Sequence, residues 1–321
     1  MSIESTGVID VTAAQDLVTL RNESWEVGVL PGTGGSLAFG RIRVGSDWLD
    51  LLRPTAEAEY GRVEATASFP LIPWSNRVRD GRLLLEDGRE VQLHRNAGDG
   101  TAIHGIARNH GWTVALLDAT EVVLTFDSSR VGDESGWPFP FLAELRYRLA
   151  GEHLIVETTV TNNGDEPMPA GMGHHPYFVR GLGAISDEVE LQVAASRSYR
   201  LEAAMATAAA DEIAPRLDFR ASRRLGNDFI DDLLTERAAT GPAAVLTYPV
   251  SGVTVTMEAD ADYRHVVVYV PQHGKDFFAV EPATNANDGF TLAAKGIPGH
   301  GVQVIAPGQS WSLRWSLTVE R

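Results

Sequence analysis

The chain has 321 residues, contains no cysteine and carries 27 Lys and Arg against 43 Asp and Glu, a formal net charge of −16. The absence of cysteine excludes disulfides, thiolate nucleophiles and cysteine–zinc sites, and it fits a reducing compartment. The negative charge repels nucleic acid and anionic membranes, and it disfavours a highly phosphorylated substrate unless arginines cluster locally. Residues 1–16 lack a basic start and a long apolar run, and no stretch approaches the roughly 20 apolar residues of a membrane helix, so we expect a soluble cytoplasmic protein without a leader peptide.

Short runs rich in β-forming residues dominate the sequence, and Gly, Asp, Asn or Pro separate them. In the last run, Trp311, Trp315 and Val319 belong to an apolar set that alternates with mostly polar neighbours, as in a half-buried strand. Many strands at short spacing predict packed antiparallel sheets. The runs that predict strands most clearly are 25–30, 36–44, 121–126, 153–161, 253–258, 265–270 and 310–319.

Helical signals are few. The Ala-rich residues 202–212 predict one short helix, although they lack an apolar face and convincing caps, and residues 227–237 predict a further helical turn. The sequence has no repeat at the periods of propellers or solenoids and no linker-like stretch. We therefore expect a single all-β domain over residues 1–321.

Four segments are too polar and irregular for ordinary strands or turns, and the first is 68–81. Two prolines fix the backbone around Trp74, and Asn76 and Arg77 follow. The amide and the guanidinium offer several donors for sugar hydroxyls, and the indole can cover an apolar sugar face. The alternative is a rigid loop with a surface salt bridge.

The second segment, 103–112, contains His104, Gly105 and His110. A glycine after His104 allows the backbone to turn sharply at that point. A single histidine is more often a structural residue than a catalyst, so this segment alone indicates a structural role.

The third segment, 171–178, contains two adjacent histidines. Side chains alternate along an extended chain, so His174 and His175 point to opposite faces and one of them can line a given cleft. Pro176 favours extended geometry at His175. An imidazole can give or take a proton near neutral pH. The alternative is a buried structural histidine beside an aromatic pair.

The fourth segment, 276–285, places Glu281 at the end of an apolar run that Pro282 terminates. A carboxylate that is partly desolvated there has a raised pKa and becomes a better base, while it must remain ionised at neutral pH to act as one. The alternative is an ion pair that caps a sheet edge.

Acidic residues in 217–234, including Asp231 and Asp232, can accept hydrogen bonds from sugar hydroxyls, although such a run is usually a solvated face. The histidines and Glu281 offer potential metal ligands, but no local ligand spacing is present, and 285–290 lacks the closing glutamate of a calcium loop. We expect neither a metal nor another cofactor.

In chain order, six short motifs resemble those of the aldose 1-epimerase, or galactose mutarotase, family. The resemblance extends from about residue 25 to the C-terminus, and the order and spacing of the motifs are more specific than any one of them. It implies a large antiparallel β-supersandwich with few short helices and a sugar cleft on one concave sheet. The motifs are Pro-x-x-Pro-Trp-x-Asn-Arg (70–77), His-Gly (104–105), His-Pro-Tyr-Phe (175–178), Asp-Phe-Arg (218–220), Ile-Asp-Asp (230–232) and Val-Glu-Pro-x-Thr (280–284).

The resemblance also implies roles. Glu281 falls where the family's general base stands, His175 where its general acid stands, and His104 at the second histidine of the site. Pro176 and residues 282–284 depart from the galactose-type enzymes, which leaves the preferred sugar open. The residues implied or expected to hold the sugar are Asn76, Arg77, Trp74 and Asp231, with Asp232 as the one-residue alternative.

The resulting hypothesis is a cofactor-free aldose 1-epimerase that acts on a free monosaccharide as a monomer or homodimer, without a nucleic-acid or membrane partner. One alternative is a sugar-6-phosphate 1-epimerase, which would need arginines at the cleft rim. A second is a carbohydrate-binding or sensing protein that has kept the fold without turnover. A glycoside hydrolase that uses Glu281 and Asp231 would leave both histidines without a function. The arginine candidates by sequence proximity are Arg79, Arg82, Arg95 and Arg108.

Overall fold

A computed structural model describes residues 17–132, 135–238, 240–272 and 275–321. Residues 1–16, on which the expectation about a leader peptide rests, lie outside this part. The strands are β1 Val18–Arg21, β2 Trp25–Leu30, β3 Ser36–Val44, β4 Asp47–Leu52, β5 Pro70–Leu71, β6 Arg77–Val78, β7 Arg82–Leu84, β8 Glu90–Gln92, β9 Ala102–Ile103, β10 Thr113–Leu117, β11 Glu121–Asp127, β12 Phe141–Ala150, β13 His153–Asn162, β14 Met168–Ala170, β15 Gly173–His174, β16 Tyr177–Val179, β17 Glu190–Val193, β18 Ala195–Ser198, β19 Leu201–Glu202, β20 Met205–Ala206, β21 Asp211–Glu212, β22 Arg223–Arg224, β23 Ile230–Arg237, β24 Ala244–Tyr248, β25 Val253–Ala259, β26 His265–Val270, β27 Phe277–Ala283, β28 Gln303–Ile305 and β29 Ser310–Glu320.

Helical structure is sparse in the described residues. The α-helix α1 spans Gly289–Ala294. The 3₁₀ turns are Glu57–Glu59, Val63–Ala65, Arg79–Gly81, Ala107–Asn109, Ser128–Arg130 and Pro215–Leu217.

Two large sheets organise the molecule. The larger has twelve strands, with the path β1-β2-β3-β4-β16-β27-β26-β23-β18-β21, and β15 joins β27 to β5. The second has nine strands in the order β10-β11-β12-β13-β29-β25-β24-β17-β22. Neighbouring strands in both sheets run antiparallel, for example β26 beside β27 and β13 beside β29. The prediction of an all-β antiparallel supersandwich with few short helices is confirmed.

The main hydrophobic core draws side chains from both large sheets. Leu317 and Trp315 of β29 meet Val266, Val268 and Phe278 of the larger sheet in one buried cluster. The predicted strands 25–30, 36–44 and 265–270 are confirmed to the residue, and the other four end one residue later than predicted. Alternation identified β29, and dense β-forming residues between turn residues identified β13.

Two helix predictions are wrong. In the first, β19 and β20 form a hairpin across Ala203 and Ala204, both of which have left-handed backbone angles, and β21 follows. Alanine content alone did not make a helix there because no apolar face could be buried. In the second, 230–237 is β23, whose Leu234 joins the main core while Leu233 joins a small cluster on the opposite side. Burial on both faces hides the alternation.

The strands that position the site lie side by side in the larger sheet. Leu233 of β23 pairs with Val267 of β26, which pairs with Glu281 of β27. Since side chains two apart share a face, Asp231 lies on the same face as Glu281. This face, which carries Asp231, Val267 and Glu281 and points away from the main core, is called the site face below.

Candidate active site

Glu281 and His175 are brought into contact on the site face. Glu281 lies near the end of β27, and its side chain is 3% exposed. His175 follows β15, and its backbone N–H donates to the carbonyl oxygen of Phe69 at 3.0 Å. The imidazole Nε2 then lies 3.1 Å from Oε1 of Glu281. A carboxyl and an imidazole at this distance can exchange a proton directly.

Burial disfavours the charged form of each member of this pair. It raises the pKa of Glu281 well above its ordinary value, the nearby charge of Asp231 adds to the effect, and Arg77 opposes it. Burial also lowers the pKa of His175, and the positive charges of Arg108 and Arg53 act in the same direction. Both shifts favour one proton held on the carboxyl side of the hydrogen bond.

His174 faces the other way, as the sequence predicted. Its Nε2 lies 2.8 Å from the hydroxyl of Thr158, and its ring is 5.4 Å from that of Trp315, both in the second sheet. Burial lowers the pKa of His174 to about 3, so the ring is neutral. His174 is a core residue, and His175 is the histidine that lines the site.

His104 lies beside His175 and has a left-handed backbone conformation. Its φ is 62°, its N–H donates to the carbonyl of Asn76 at 3.0 Å, and its ring stands edge-on to His175 at 5.4 Å between centroids. Gly105 is required next to it, because a Cβ there would lie 1.9 Å from the carbonyl oxygen of Ile72. Burial lowers the pKa of His104 well below its usual value. His104 thus lies beside His175, the position that the resemblance implied for the second histidine of the site.

Asp231 and Arg77 form the more open side of the site. The Nη1 of Arg77 lies 3.7 Å from Oδ2 of Asp231, and its Nε donates to Asp99 at 2.9 Å. Burial raises the pKa of Asp231, while Arg77 lowers it. Asp232 points away and binds Arg216 at 2.8 Å. The structure therefore places Asp231 rather than Asp232 on the site face.

Asn285, which the sequence did not single out, ties the Asn76 loop to the end of β27. Its side chain accepts hydrogen bonds from the N–H and the hydroxyl of Ser75 at 2.9 and 2.8 Å. Its amide donates to the carbonyls of Ser75 and Ala286 at 3.0 and 3.1 Å. Its own carbonyl accepts from the amide of Asn76 at 3.1 Å. The one signal for this residue in the sequence is its position directly after the Val-Glu-Pro-x-Thr motif.

A family model described as Aldose 1-epimerase matches residues 16–318. The chain belongs to the aldose 1-epimerase family. The protein named uncharacterized protein YphB, from Escherichia coli K12, is 29% identical over 285 residues, which cover 85% of this chain and 90% of that protein.

Solved structures agree on the fold. A candidate aldose 1-epimerase from Escherichia coli K12 has a TM-score of 0.80 at 25% identity, covering 95% of this chain and 99% of that one. A galactose mutarotase-like protein from Clostridium acetobutylicum has a TM-score of 0.83 at 18% identity, covering 95% of each chain. The chain has the galactose mutarotase-like fold, and aldose 1-epimerase membership implies a sugar substrate and an isomerase.

Trp74 is buried, whereas the sequence analysis expected its indole to cover a sugar face. Its side chain is 1% exposed, and its indole packs at 5.2 Å against Trp137 within the main core. No face of the ring is available for stacking on a sugar in this arrangement. Trp74 supports the loop that carries Asn76 and Arg77.

The four arginines considered for a phosphate do not gather. Arg79 binds Asp288, Arg82 binds Glu90, and Arg95 donates to the carbonyl of Asp80. Arg108 alone lies against the site, with its guanidinium 5.4 Å from the ring centroid of Phe69, which stacks on His175.

A cluster of metal ligands and a membrane-spanning helix are both absent from the described residues. No group of three or more His, Cys, Asp or Glu side chains in this part of the chain is arranged to hold a metal ion. In the same residues, no helix has the length and hydropathy needed to cross a membrane.

Proposed function

We propose that this member of the family is an aldose 1-epimerase that interconverts the α and β anomers of a free aldose. The observation that carries the proposal is the 3.1 Å contact between Nε2 of His175 and Oε1 of Glu281 on the site face. Mutarotation requires one group that removes the proton of the anomeric hydroxyl and another that protonates the ring oxygen. A buried pair that shares one proton supplies both groups.

In the free protein the shared proton rests on Glu281, and a bound sugar redistributes it. When O1 and O5 replace the direct contact, the anomeric hydroxyl donates to Glu281 and the ring oxygen accepts from His175. These hydrogen bonds stabilise the carboxylate and the imidazolium, which are the charged forms that burial alone disfavours. The working state thus has the same single proton as the free pair.

The chemical step then balances without a cofactor. Glu281 takes the proton of O1 as the C1–O1 bond becomes a carbonyl, the C1–O5 bond breaks, and O5 takes the proton of His175. Rotation about C1–C2 presents the other face of the aldehyde. Ring closure reverses both proton transfers, so Glu281 and His175 return to their starting states.

The remaining polar groups orient the sugar. Arg77 and Asp231 form the half-exposed side, where charged groups can bind hydroxyls at the mouth of the site. We propose that His104 polarises the sugar beside His175 and that Asn76 holds the loop geometry of the site. Positioning of this kind lowers the entropic part of the barrier.

The pattern of ion pairs supports a free sugar rather than a sugar 6-phosphate. A phosphate dianion is best bound by several convergent arginine or lysine side chains. Arg79 and Arg82 are engaged with carboxylates, and Arg95 with a backbone carbonyl. Of the arginines near His175, Arg77 is paired with Asp99 and Asp231, and Arg53 and Arg108 lie against the rings of Tyr177 and Phe69. A glycosidase mechanism that uses Glu281 and Asp231 assigns no role to the imidazole of His175.

We also propose that residues 1–321 form one domain, which the continuous core across both sheets supports. A cytoplasmic location and a monomeric or homodimeric state stay predictions from the sequence.

Polarimetry of freshly dissolved α-anomers tests the proposal. Wild-type protein, after chelator treatment, should accelerate equilibration of at least one free aldose, and Glu281→Gln should lose about 10²–10⁴-fold of that rate. Acceleration of glucose 6-phosphate alone would favour the phosphate-specific alternative. Binding of sugars without acceleration of any of them would favour a sensing protein and contradict the proposal.

A further inference from the structure

Two arginines lie against the aromatic rings that hold His175. The imidazole contacts Phe69 at 4.8 Å and Tyr177 at 4.4 Å between centroids. The guanidinium carbon of Arg53 lies 3.8 Å from the Tyr177 centroid, and that of Arg108 lies 5.4 Å from the Phe69 centroid. Each cation is therefore separated from the imidazole by one aromatic ring.

Among the described residues, neither arginine pairs with a buried carboxylate. The Nη2 of Arg53 donates to the backbone carbonyls of Glu64 and Thr66 at 3.0 and 2.7 Å. The Nη1 of Arg108 donates to the carboxylate of Glu64 at 3.2 Å, but that side chain is 67% exposed and is screened by water. The Nε atoms of both arginines are buried without a hydrogen-bond partner in the described residues. Their positive charge consequently reaches the ring cluster.

The second nitrogen of His175 is also unusual. Its Nδ1 is buried and has no acceptor in the described part of the chain. In a catalytic triad, a carboxylate at this nitrogen stabilises the imidazolium. Here the nearest surroundings are the rings of Phe69 and Tyr177 with cations behind them, which has the opposite electrostatic sign.

We infer that Arg53 and Arg108 are positioning residues that act through His175, making its imidazolium a stronger acid toward the ring oxygen of the sugar. The inference rests on the proposed function. An acid that releases its proton readily speeds ring opening, and a histidine that is neutral when free leaves the proton on Glu281 until a sugar arrives. The two cations supply this property without touching the substrate.

The electrostatics agree with the geometry. After burial, the charges of Arg108 and then Arg53 are the largest influences that lower the pKa of His175, because a nearby cation disfavours the imidazolium. The other charged or titratable groups that face the ring cluster and its arginines are Glu281, His104, Arg77, Asp231, Tyr177, Tyr269, Asp276 and Glu64.

The test compares Arg53→Met with Arg53→Lys in pH–rate profiles of mutarotation. Methionine keeps an unbranched side chain against Tyr177 and Phe277 but removes the charge, whereas lysine keeps the charge. Loss of a cation raises both macroscopic pKa values of the His175–Glu281 pair, so the active pH window should move upward by about half to one unit in Arg53→Met. Arg53→Lys should keep the wild-type window, and Arg108→Met should move it at least as far as Arg53→Met.

Arg237→Met is the matched control. Like Arg53, Arg237 is half-buried and donates to backbone carbonyls, here those of Tyr263, Ala259 and Asp260, but it lies at the far end of β23. This variant should lose stability without moving the pH window. An unmoved window in Arg53→Met, or an equal shift in Arg53→Lys and Arg237→Met, would overturn the inference.

A second readout separates this inference from the proposed function. NMR of ring-labelled histidine follows the protonation of His175 directly, with its resonance identified by its loss in His175→Gln. The midpoint should rise by about half to one pH unit in Arg53→Met. A shifted midpoint in a protein that accelerates no sugar would remove the function and keep the electrostatic effect, and coincident titration curves would contradict the effect itself.

Discussion

The half of the site around Glu281 and the half around Asp231 are built from the same kinds of group in different surroundings. In each, a carboxyl group faces a nitrogen-containing side chain: His175 at 3.1 Å in the first and Arg77 at 3.7 Å in the second. The Glu281 side chain is 3% exposed, whereas that of Asp231 is 28% exposed. Burial disfavours the charged forms of Glu281 and His175, whereas the guanidinium of Arg77 favours the charged form of Asp231. The first suits proton transfer and the second suits binding of hydroxyls.

The comparison predicts its largest effect at the two adjacent histidines. His175→Gln removes the proton donor of the half around Glu281 and should lower kcat by about 10²–10⁴-fold. KM should change little, because the sugar is bound mainly by the half around Asp231. Polarimetry at several sugar concentrations measures both constants. His174→Gln is the control: it breaks the bond to Thr158 and should lower the melting temperature while kcat per folded molecule is retained. Equal loss of kcat in the two variants would contradict the assignment of His175 to the site and of His174 to the core.

A smaller effect is expected at the residue that joins the two halves. Asn285→Ala removes four side-chain hydrogen bonds to Ser75 and Ala286, which should cost about 2–4 kcal/mol of unfolding free energy and lower kcat/KM by about 10–100-fold. Asn287→Ala removes one such bond, to Ala204, and should leave kcat/KM unchanged. Chemical denaturation and initial rates give both quantities. An unchanged kcat/KM in Asn285→Ala would show that the Asn76 loop keeps its active geometry without the hydrogen bonds of Asn285.

The smallest effect is expected in the open half. Asp231→Asn should raise KM about tenfold, as for the loss of one charge-assisted hydrogen bond, with kcat within a few-fold of wild type. Because the charge of Asp231 raises the pKa of Glu281, the alkaline limb of the pH profile should also move to lower pH. Asp232→Asn loses the ion pair with Arg216 on the other face and should change neither. A larger KM effect in Asp232→Asn would reverse the assignment.

The strand β29 could be predicted from its alternation, and β26 from its run of β-branched residues although both of its faces are buried. The strand β23 has neither a clear alternation nor a β-branched run. The six residues of α1 are too few to produce a readable helical period. The site was partly predictable, because Glu281 interrupts an apolar run and His175 precedes a proline.

The rest of the site depends on tertiary contacts. Asn285 bonds to Ser75 across 210 residues of sequence. Arg53 reaches the ring cluster from a segment without a sequence signal, and Arg108 was considered in the sequence for a phosphate and not for a position behind Phe69. The pKa shifts of Glu281 and His175 follow mainly from burial, and burial of these side chains cannot be predicted from a local sequence pattern. The burial of Trp74 could not be predicted, because its motif gives the residue types and not the side of the loop that the indole faces.

A double-mutant cycle on mutarotation rates tests most directly whether His175 and Glu281 act as one proton-sharing unit. We predict that the double variant Glu281→Gln/His175→Gln loses no more than about tenfold beyond the more damaged single variant, because removal of either partner already breaks the proton relay. Losses that multiply, so that the double variant falls by the product of the two single effects, would contradict a shared proton and would assign the two residues to independent steps.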